Sequence, residues 1–506
     1  MTITSSDNTN ASTSSNNNNN YYNGTSSPIY METVCAPVNI AVIKYWGKAN
    51  ATYNTPTNDS LSVTLDVADL RAVTTVAASP SFTQHELWLN GKHIPNIEST
   101  NKRFMACING VKAMARDRLV TPVNHSTFPS SRSSSSPHTV TAQEWRDMKI
   151  HVSSYNTFPT AAGLASSAAG YAALVAALAA LMNAPSPGPN DKDDADHDDD
   201  DPEARLSTVA RQGSGSSCRS LYGGFVAWRR GHVDAPPPCW DSKAEPVAPH
   251  THWPALRALI LVVSDHQKDT SSTTGMQTTV ATSPLLLFRA NHVVPTRMSE
   301  METAIHQRDF ATFAQLTMQD SNQFHATCLD TYPPIFYLTA VSQAIIRLIH
   351  AYNHYKGSVR AAYTFDAGPN AVLYVLEQDV VELGALLLHY YYPKNTNSDN
   401  IDAADDDANQ KNVDHVDDDD DSFFLTQTCK DLIAPMKQCT LDPALIQACD
   451  ATRGRGVGGS ATSARRGEVQ AMYLTRPGPG PQRVTTERLL DPHTGHNAYT
   501  PTATGS

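Results

Sequence analysis

Residues 153–182, SSYNTFPTAAGLASSAAGYAALVAALAALM, constrain this chain more than any other stretch. A polar loop with Pro159 and Gly163 gives way to Ser166 and Ser167, then to a long Ala/Leu run. Serine is a favoured N-cap, and Ala and Leu are strong helix formers. A helix start leaves N–H groups unpaired at the positive end of its dipole, which attracts anions. The stretch therefore reads as a phosphate-binding loop feeding a buried helix, or as a Gly-containing turn before a core helix. By itself it does not choose between them.

The 506 residues suffice for two domains or one large α/β unit. Charge is unevenly spread. Residues 191–201 hold eight Asp and one Lys, and residues 399–421 hold eleven Asp and one Lys. Setting aside these seven and ten net negative charges takes the formal −12 to +5 for the remainder. A mildly basic body suits an anionic small molecule. No Lys/Arg block suggests a nucleic-acid partner. The Asp runs lack the alternation, central Gly and final Glu of a calcium loop, and read as solvated insertions. Eight cysteines without a CxxC pair argue against a zinc site or disulfide framework and fit a reducing compartment. The apolar run from Ala168 to Met182 is too short for a membrane span, and no secretory leader is expected. A cytoplasmic protein is the resulting expectation.

In chain order, residues 1–27 read as a disordered tail. Residues 30–45 read as one or two strands, 61–78 as a strand pair, and Asn90-Gly91 as a hairpin turn. An amphipathic helix is expected over 100–119, with Phe104, Ile108, Val111 and Met114 on one face. A Ser-rich insertion covers 125–138 and a strand precedes the 153–182 segment. The first Asp-rich insertion spans 186–202, and a helix over 203–212 leads to a Gly/Ser loop and a strand. The Pro-rich segment 234–254 is the expected domain boundary, dividing 28–240 from 241–482. Beyond it lie a buried strand over 255–264, helices over 284–326 and 334–356, a tight turn between strands near 366, an insertion over 395–422, and a last strand. Residues 483–506 read as a loose tail.

Four segments carry chemistry. Lys44 and Lys48 flank Tyr45, Trp46 and Gly47 at a strand mouth, where a lysine binds phosphate or carboxylate or is simply exposed. The loop entering the Ala-rich helix is the second. In GSGSSCRS, residues 213–220, small residues let backbone N–H groups approach an anion, and Arg219 can grip a carboxylate or phosphate with two donors. Asp366 precedes a Gly-Pro turn in FDAGPN, where it is a reactive carboxylate or a turn-stabilising one.

Together these segments resemble the GHMP kinase superfamily, and within it the diphosphomevalonate decarboxylase family. The resemblance rests on PVNIAVIKYWGK (37–48), FPTAAGLASSAAG (158–170), SGSSCRSLYGG (214–224), SNQFHATCLDT (321–331), YTFDAGPNA (363–371) and GPGPQ (478–482). Ala165 stands where the superfamily's kinases usually carry Gly. Two departures are visible: Thr157 replaces the second of two adjacent asparagines, and Asp59 interrupts an Asn-Ser-Ser-Leu loop. A carboxylate at position 59 would be unwelcome near an anion site unless it points away.

The resemblance implies an α+β, two-domain GHMP-kinase-like fold with mixed sheets and packed helices, and an active site in a cleft between domains. It implies ATP as co-substrate, Mg²⁺ with ligands left unassigned, a small-molecule substrate and a homodimer. The implied reaction phosphorylates the 3-hydroxyl of (R)-5-diphosphomevalonate, after which phosphate and carbon dioxide leave. On this basis Asp366 acts at the hydroxyl as base or positioner, Lys44 stabilises developing charge, and Arg219 holds the carboxylate. Tyr45, Trp46, Gly47, Lys48, Arg103, Ser214, Gly215, Ser216, Ser217, Cys218, Ser272 and Thr273 form the substrate side. Asn156, Pro159, Gly163, Leu164, Ala165, Ser166 and Ser167 form the ATP side. The alternatives are a kinase of the same fold acting on mevalonate or its phosphates without decarboxylation, and a non-catalytic metabolite-binding regulator.

Overall fold

The computed structural model describes residues 27–123, 137–158, 166–185, 202–232, 234–236, 239–264, 269–392, 423–452 and 467–501. Both Asp-rich stretches, the Ser-rich insertion up to residue 136, and Pro159, Gly163, Leu164 and Ala165 lie outside the described residues. Among the described residues, three larger sheets, two two-stranded ribbons and their covering helices form an α+β architecture.

The first sheet has six strands, in the order Gln482–Arg483, Tyr30–Pro37, Arg71–Ser79, Lys149–Asn156, Glu86–Leu89 and Lys92–Ile94. Its pairings are antiparallel except between Lys149–Asn156 and Glu86–Leu89, which run parallel. The last two strands form the expected hairpin, with Asn90 and Gly91 both at positive φ. The second sheet runs Ala244–Ala248, Phe225–Trp228, Ser60–Thr64 and Asn39–Ile43. The third runs Ala361–Phe365, Ala371–Leu376, Leu256–Val262 and Ala471–Thr475.

The Ala-rich helix Ser166–Met182 buries twelve of its residues, from Ala168 to Met182, and lies against strands Tyr30–Pro37 and Arg71–Ser79. Such a helix has no polar face to offer water, so it is stable only when enclosed. Its small side chains let it approach the sheet closely. Strand Asn39–Ile43 is buried along its whole length, with helix Phe310–Asp330 packed against it. That sandwiching aims the end of the strand, Lys44, at the space between the second and third sheets.

Three sequence expectations are corrected. The Gly/Ser loop is a short 3₁₀ helix, Gly215–Leu221, because consecutive small residues permit the tighter winding. The expected boundary at 240/241 falls inside the second sheet, whose edge strand Ala244–Ala248 follows it. The loose tail is packed over its described part. Leu489 and Leu490 are buried, Ser153 Oγ donates to Asn497 at 2.7 Å, and Tyr155 stacks on Tyr499 at 4.5 Å. The chain returns to the first sheet through GPGPQ. There a Cβ on Gly478 would lie 2.3 Å from Asp66 Cα, so only glycine permits the approach.

Candidate active site

Strand Asn39–Ile43 delivers Lys44 to a cavity of about 470 Å³. Lys44 Nζ lies 2.7 Å from Asp366 Oδ1, on the turn between strands Ala361–Phe365 and Ala371–Leu376. The lysine is 2% exposed, while the Asp366 side chain retains 29% exposure and lines the cavity. The ion pair joins a strand of the second sheet to a turn of the third.

The backbone of Lys44 is held as firmly as its side chain. Its N–H donates to Asp320 Oδ2 at 2.7 Å, and its carbonyl accepts from Asn58 Nδ2 at 3.0 Å and Arg289 at 3.2 Å. Asp320 and Arg289 are wholly buried and paired at 2.7 Å, with Arg297 at 3.1 Å from the same carboxylate. Burial alone would raise the Asp320 carboxyl, but the two arginines and the Lys44 amide hold it below its ordinary value.

Arg219 comes from the 3₁₀ helix and is 2% exposed. Its Nε donates to Ser62 Oγ at 2.9 Å and Asn39 Oδ1 at 3.2 Å, and a terminal nitrogen donates to Ser60 Oγ. Trp228 lies 5.7 Å from the guanidinium. Burial lowers its pKa, opposed by the nearby Cys218, Asp366 and Tyr45. Among the described residues it forms no ion pair, so hydroxyl and amide groups position a cation that remains electrostatically uncompensated at contact range.

Tyr45, Trp46, Lys48, Arg103, Ser166, Ser167, Ser214, Gly215, Ser216, Ser272 and Thr273 also line the cavity. Ser167 Oγ and Ser214 Oγ lie 3.1 Å apart, linking the start of the Ala-rich helix to the Gly/Ser segment. Ser272 and Thr273 open helix Ser272–Thr282, capped by Ser271. Lys48 is half-buried, and burial together with Arg103 lowers its pKa to about 8. Trp46 Nε1 donates to Thr279 Oγ1 at 3.0 Å, and its ring packs against Phe324 and Tyr337.

Four nominated residues do not reach the cavity wall. Gly47, at φ +89°, turns the chain where a Cβ would meet Thr57 at 2.9 Å. Ser217 Oγ donates to the Ser214 carbonyl at 2.7 Å, and Cys218 is fully buried, its thiol pushed up to about 12 by burial. Both shape the 3₁₀ turn. Asn156 ends a strand beside the hairpin, its N–H 3.4 Å from Asn90 Oδ1. Thr157, the neighbouring departure, exchanges hydrogen bonds with Arg71. Asp59 points away from the cavity, accepting at 2.8 Å from the Arg230 N–H.

Sequence reasoning missed Asn39, Asn54, Asp320, Arg289 and His325. Asn54 lines the cavity with a buried Oδ1 that has no hydrogen-bond partner, as does the Tyr45 hydroxyl. The hydroxyl can donate to a ligand, whereas the amide oxygen can only accept from one. His325 is buried near Lys44 and kept neutral, its pKa lowered to about 3 by burial first and Lys44 second. His325 lies in the motif SNQFHAT, but only contacts across the fold reveal its place beside Lys44. The cavity-lining carboxylate among the described residues is Asp366, so a divalent cation here would depend on phosphate oxygens for most of its ligands.

The chain is similar to known proteins over most of its length. The diphosphomevalonate decarboxylase-like N-terminal domain matches residues 36–237, and the mevalonate 5-diphosphate decarboxylase C-terminal domain matches residues 258–484. A human diphosphomevalonate decarboxylase is 48% identical over 370 residues, covering 73% of this chain and 82% of the relative. A solved mevalonate diphosphate decarboxylase from Trypanosoma brucei superposes with a TM-score of 0.69 at 31% identity, over 90% of this chain and 98% of that one. A solved complex of MDDEF with MVAPP, AMPPCP and magnesium superposes with a TM-score of 0.58 at 25% identity, over 90% and 100% of the two chains.

Proposed function

This chain belongs to the diphosphomevalonate decarboxylase family, and from that premise we propose how its cavity performs the family reaction. The protein is an ATP-dependent decarboxylase that converts (R)-5-diphosphomevalonate to isopentenyl diphosphate, ADP, phosphate and carbon dioxide in the mevalonate route. The Lys44–Asp366 pair at 2.7 Å, beside Arg219 in one cavity, is the observation that carries the assignment of roles.

Asp366 accepts the proton of the tertiary 3-hydroxyl or fixes that hydroxyl for attack on the γ-phosphoryl group. Lys44 holds Asp366 in place and offers positive charge to the transferred phosphoryl oxygens. Arg219 binds the C1 carboxylate. Once phosphorylated, the 3-oxygen leaves as phosphate, the bond from C2 to the carboxylate breaks, and its electrons form the new double bond. Lys48 and Arg103, with the Tyr45 hydroxyl, grip the diphosphate end. Ser166 and Ser167, at the start of the Ala-rich helix, face the nucleotide phosphates.

Mg²⁺ neutralises phosphate charge when ATP is bound. The cavity fits an ion held mainly by phosphate oxygens, with Asp366 and the hydroxyls of Ser166 and Ser167 as the protein groups available. A cytoplasmic homodimer completes the reading. It is supported by the family relationship and by eight cysteines that form no disulfide, seven of them buried, which suit a reducing compartment. No described helix is long and apolar enough to cross a membrane. Sedimentation and cell fractionation test the last two points.

The reaction is tested by incubating the purified protein with ATP, Mg²⁺ and C1-labelled diphosphomevalonate. Carbon dioxide and ADP are expected in equal amounts. ADP without carbon dioxide would assign the chain to phosphoryl transfer alone and leave Arg219 without its role.

A further inference from the structure

Outside the catalytic cavity, the packed C-terminal segment completes a second cluster of polar side chains. Glu86 and His151 are directly opposed on parallel strands Glu86–Leu89 and Lys149–Asn156, so their side chains emerge side by side on one face. His496 arrives from the segment folded over that face. Glu86, His151 and His496 each offer one ligand atom, and these atoms all lie within 4.8 Å of one another. A pocket beside them is also lined by His493, which precedes His496 by three positions.

The local structure positions the donors. The Asp491 carboxylate accepts from the N–H groups of His493 and Thr494 at 2.9 and 2.8 Å, winding the segment into a tight turn. Gly495, at φ +69°, continues the turn, and its carbonyl lies 3.0 Å from His151 Nδ1. With the Nδ1 proton donated to that carbonyl, Nε2 is the nitrogen left for an ion, which would have to displace the ring's further interaction with the Gln84 backbone. Phe82 stacks on the His151 ring at 3.7 Å, fixing its plane. Glu86 Oε2 is 3.7 Å from His496 Nδ1, too long for a hydrogen bond and short enough to share an ion.

We propose that Glu86, His151 and His496 bind one zinc-class divalent cation that fastens the C-terminal segment 484–501 to the first sheet, with His493 or water as fourth ligand. Two imidazoles and a carboxylate suit Zn²⁺ over Mg²⁺ or Ca²⁺, which prefer all-oxygen sites. The ion cross-links two strands and a segment more than 300 residues distant in sequence, so its role is structural. None of these residues lines the catalytic cavity.

The test uses untagged full-length protein stripped with EDTA and titrated with Zn²⁺ against a competing chromophoric chelator. One Zn²⁺ per chain is expected, with no uptake of Mg²⁺ at the same site. His496→Ala removes an exposed side chain and Glu86→Gln keeps its volume, so both variants should fold and retain turnover. Each should weaken zinc binding by at least about tenfold. Zn²⁺ should slow amide exchange across residues 484–501 in the parent and not in the variants. Absence of stoichiometric zinc, or parental affinity in both variants, overturns the proposal. In that case the cluster is a hydrogen-bonded latch, or the zinc sits on cysteines elsewhere.

Discussion

Two lysines four residues apart face the same cavity and live in opposite environments. Lys44 is buried, neutralised by Asp366, and tethered through its own backbone to the Asp320–Arg289 pair. Lys48 is half-buried, sits beside Arg103, and has its pKa lowered to about 8 by burial and that like charge. A cation with a fixed counter-charge is suited to chemistry, because its position survives changes in the bound substrate. A cation next to another cation is suited to grip, because only an incoming anion relieves the repulsion. On the proposed assignment of roles, the cavity separates a rigid reacting centre from an anion-hungry rim.

The comparison can be broken in four ways. Removing the reacting carboxylate has the largest expected effect. Asp366→Asn should lower kcat by about 10²–10⁴-fold with KM little changed, as measured by steady-state ADP release. Next is the buried tether. Asp320→Ala leaves Arg289 charged and unpaired, costing about 3–5 kcal/mol of stability in urea unfolding. A loss under about 1 kcal/mol would mean the tether does not hold the reacting centre. Arg219→Gln should lower kcat/KM by about 10–100-fold, the worth of a charged hydrogen bond to the carboxylate. It should also leave some ADP formed without carbon dioxide.

The smallest effect is titration of the rim. Lys48 has a lowered folded-state pKa, so it is charged below about pH 8 and loses its proton as pH rises through that value. Diphosphate binding favours the charged form. Substrate affinity should therefore be full below about pH 8 and fall roughly three- to tenfold towards pH 10. Lys48→Arg should flatten this dependence, since a guanidinium stays protonated. An unchanged slope in that variant would assign the titration to another group.

The sequence made local features readable and left long-range ones hidden. The Ser166–Ser167 helix start, the Asn90-Gly91 hairpin and the tight turn at Asp366 each follow from a few adjacent residues. Lys44, Arg219 and Asp366 were nominated from motifs and meet in one cavity. Asp320 and Arg289 escaped notice because a buried ion pair looks, in sequence, like two ordinary polar positions on helical stretches. Asn54 escaped because its role depends on an oxygen left unpaired by its surroundings. The C-terminal segment was misread because its composition is polar. It packs through a handful of contacts, such as Tyr155 with Tyr499, that exist only once the first sheet is assembled. Asp59, a concern in the sequence, is turned outward by the Arg230 N–H.

The division between the two lysines is the central claim, and parallel steady-state kinetics of Lys44→Met and Lys48→Met test it most directly. Lys44→Met should lose kcat by at least about 10²-fold, since it removes charge stabilisation at the transferred phosphoryl. Lys48→Met should mainly raise the KM for diphosphomevalonate, by about tenfold or more, the worth of a charged contact. If both substitutions moved the same parameter to a similar extent, the cavity would not be divided into a reacting centre and a gripping rim.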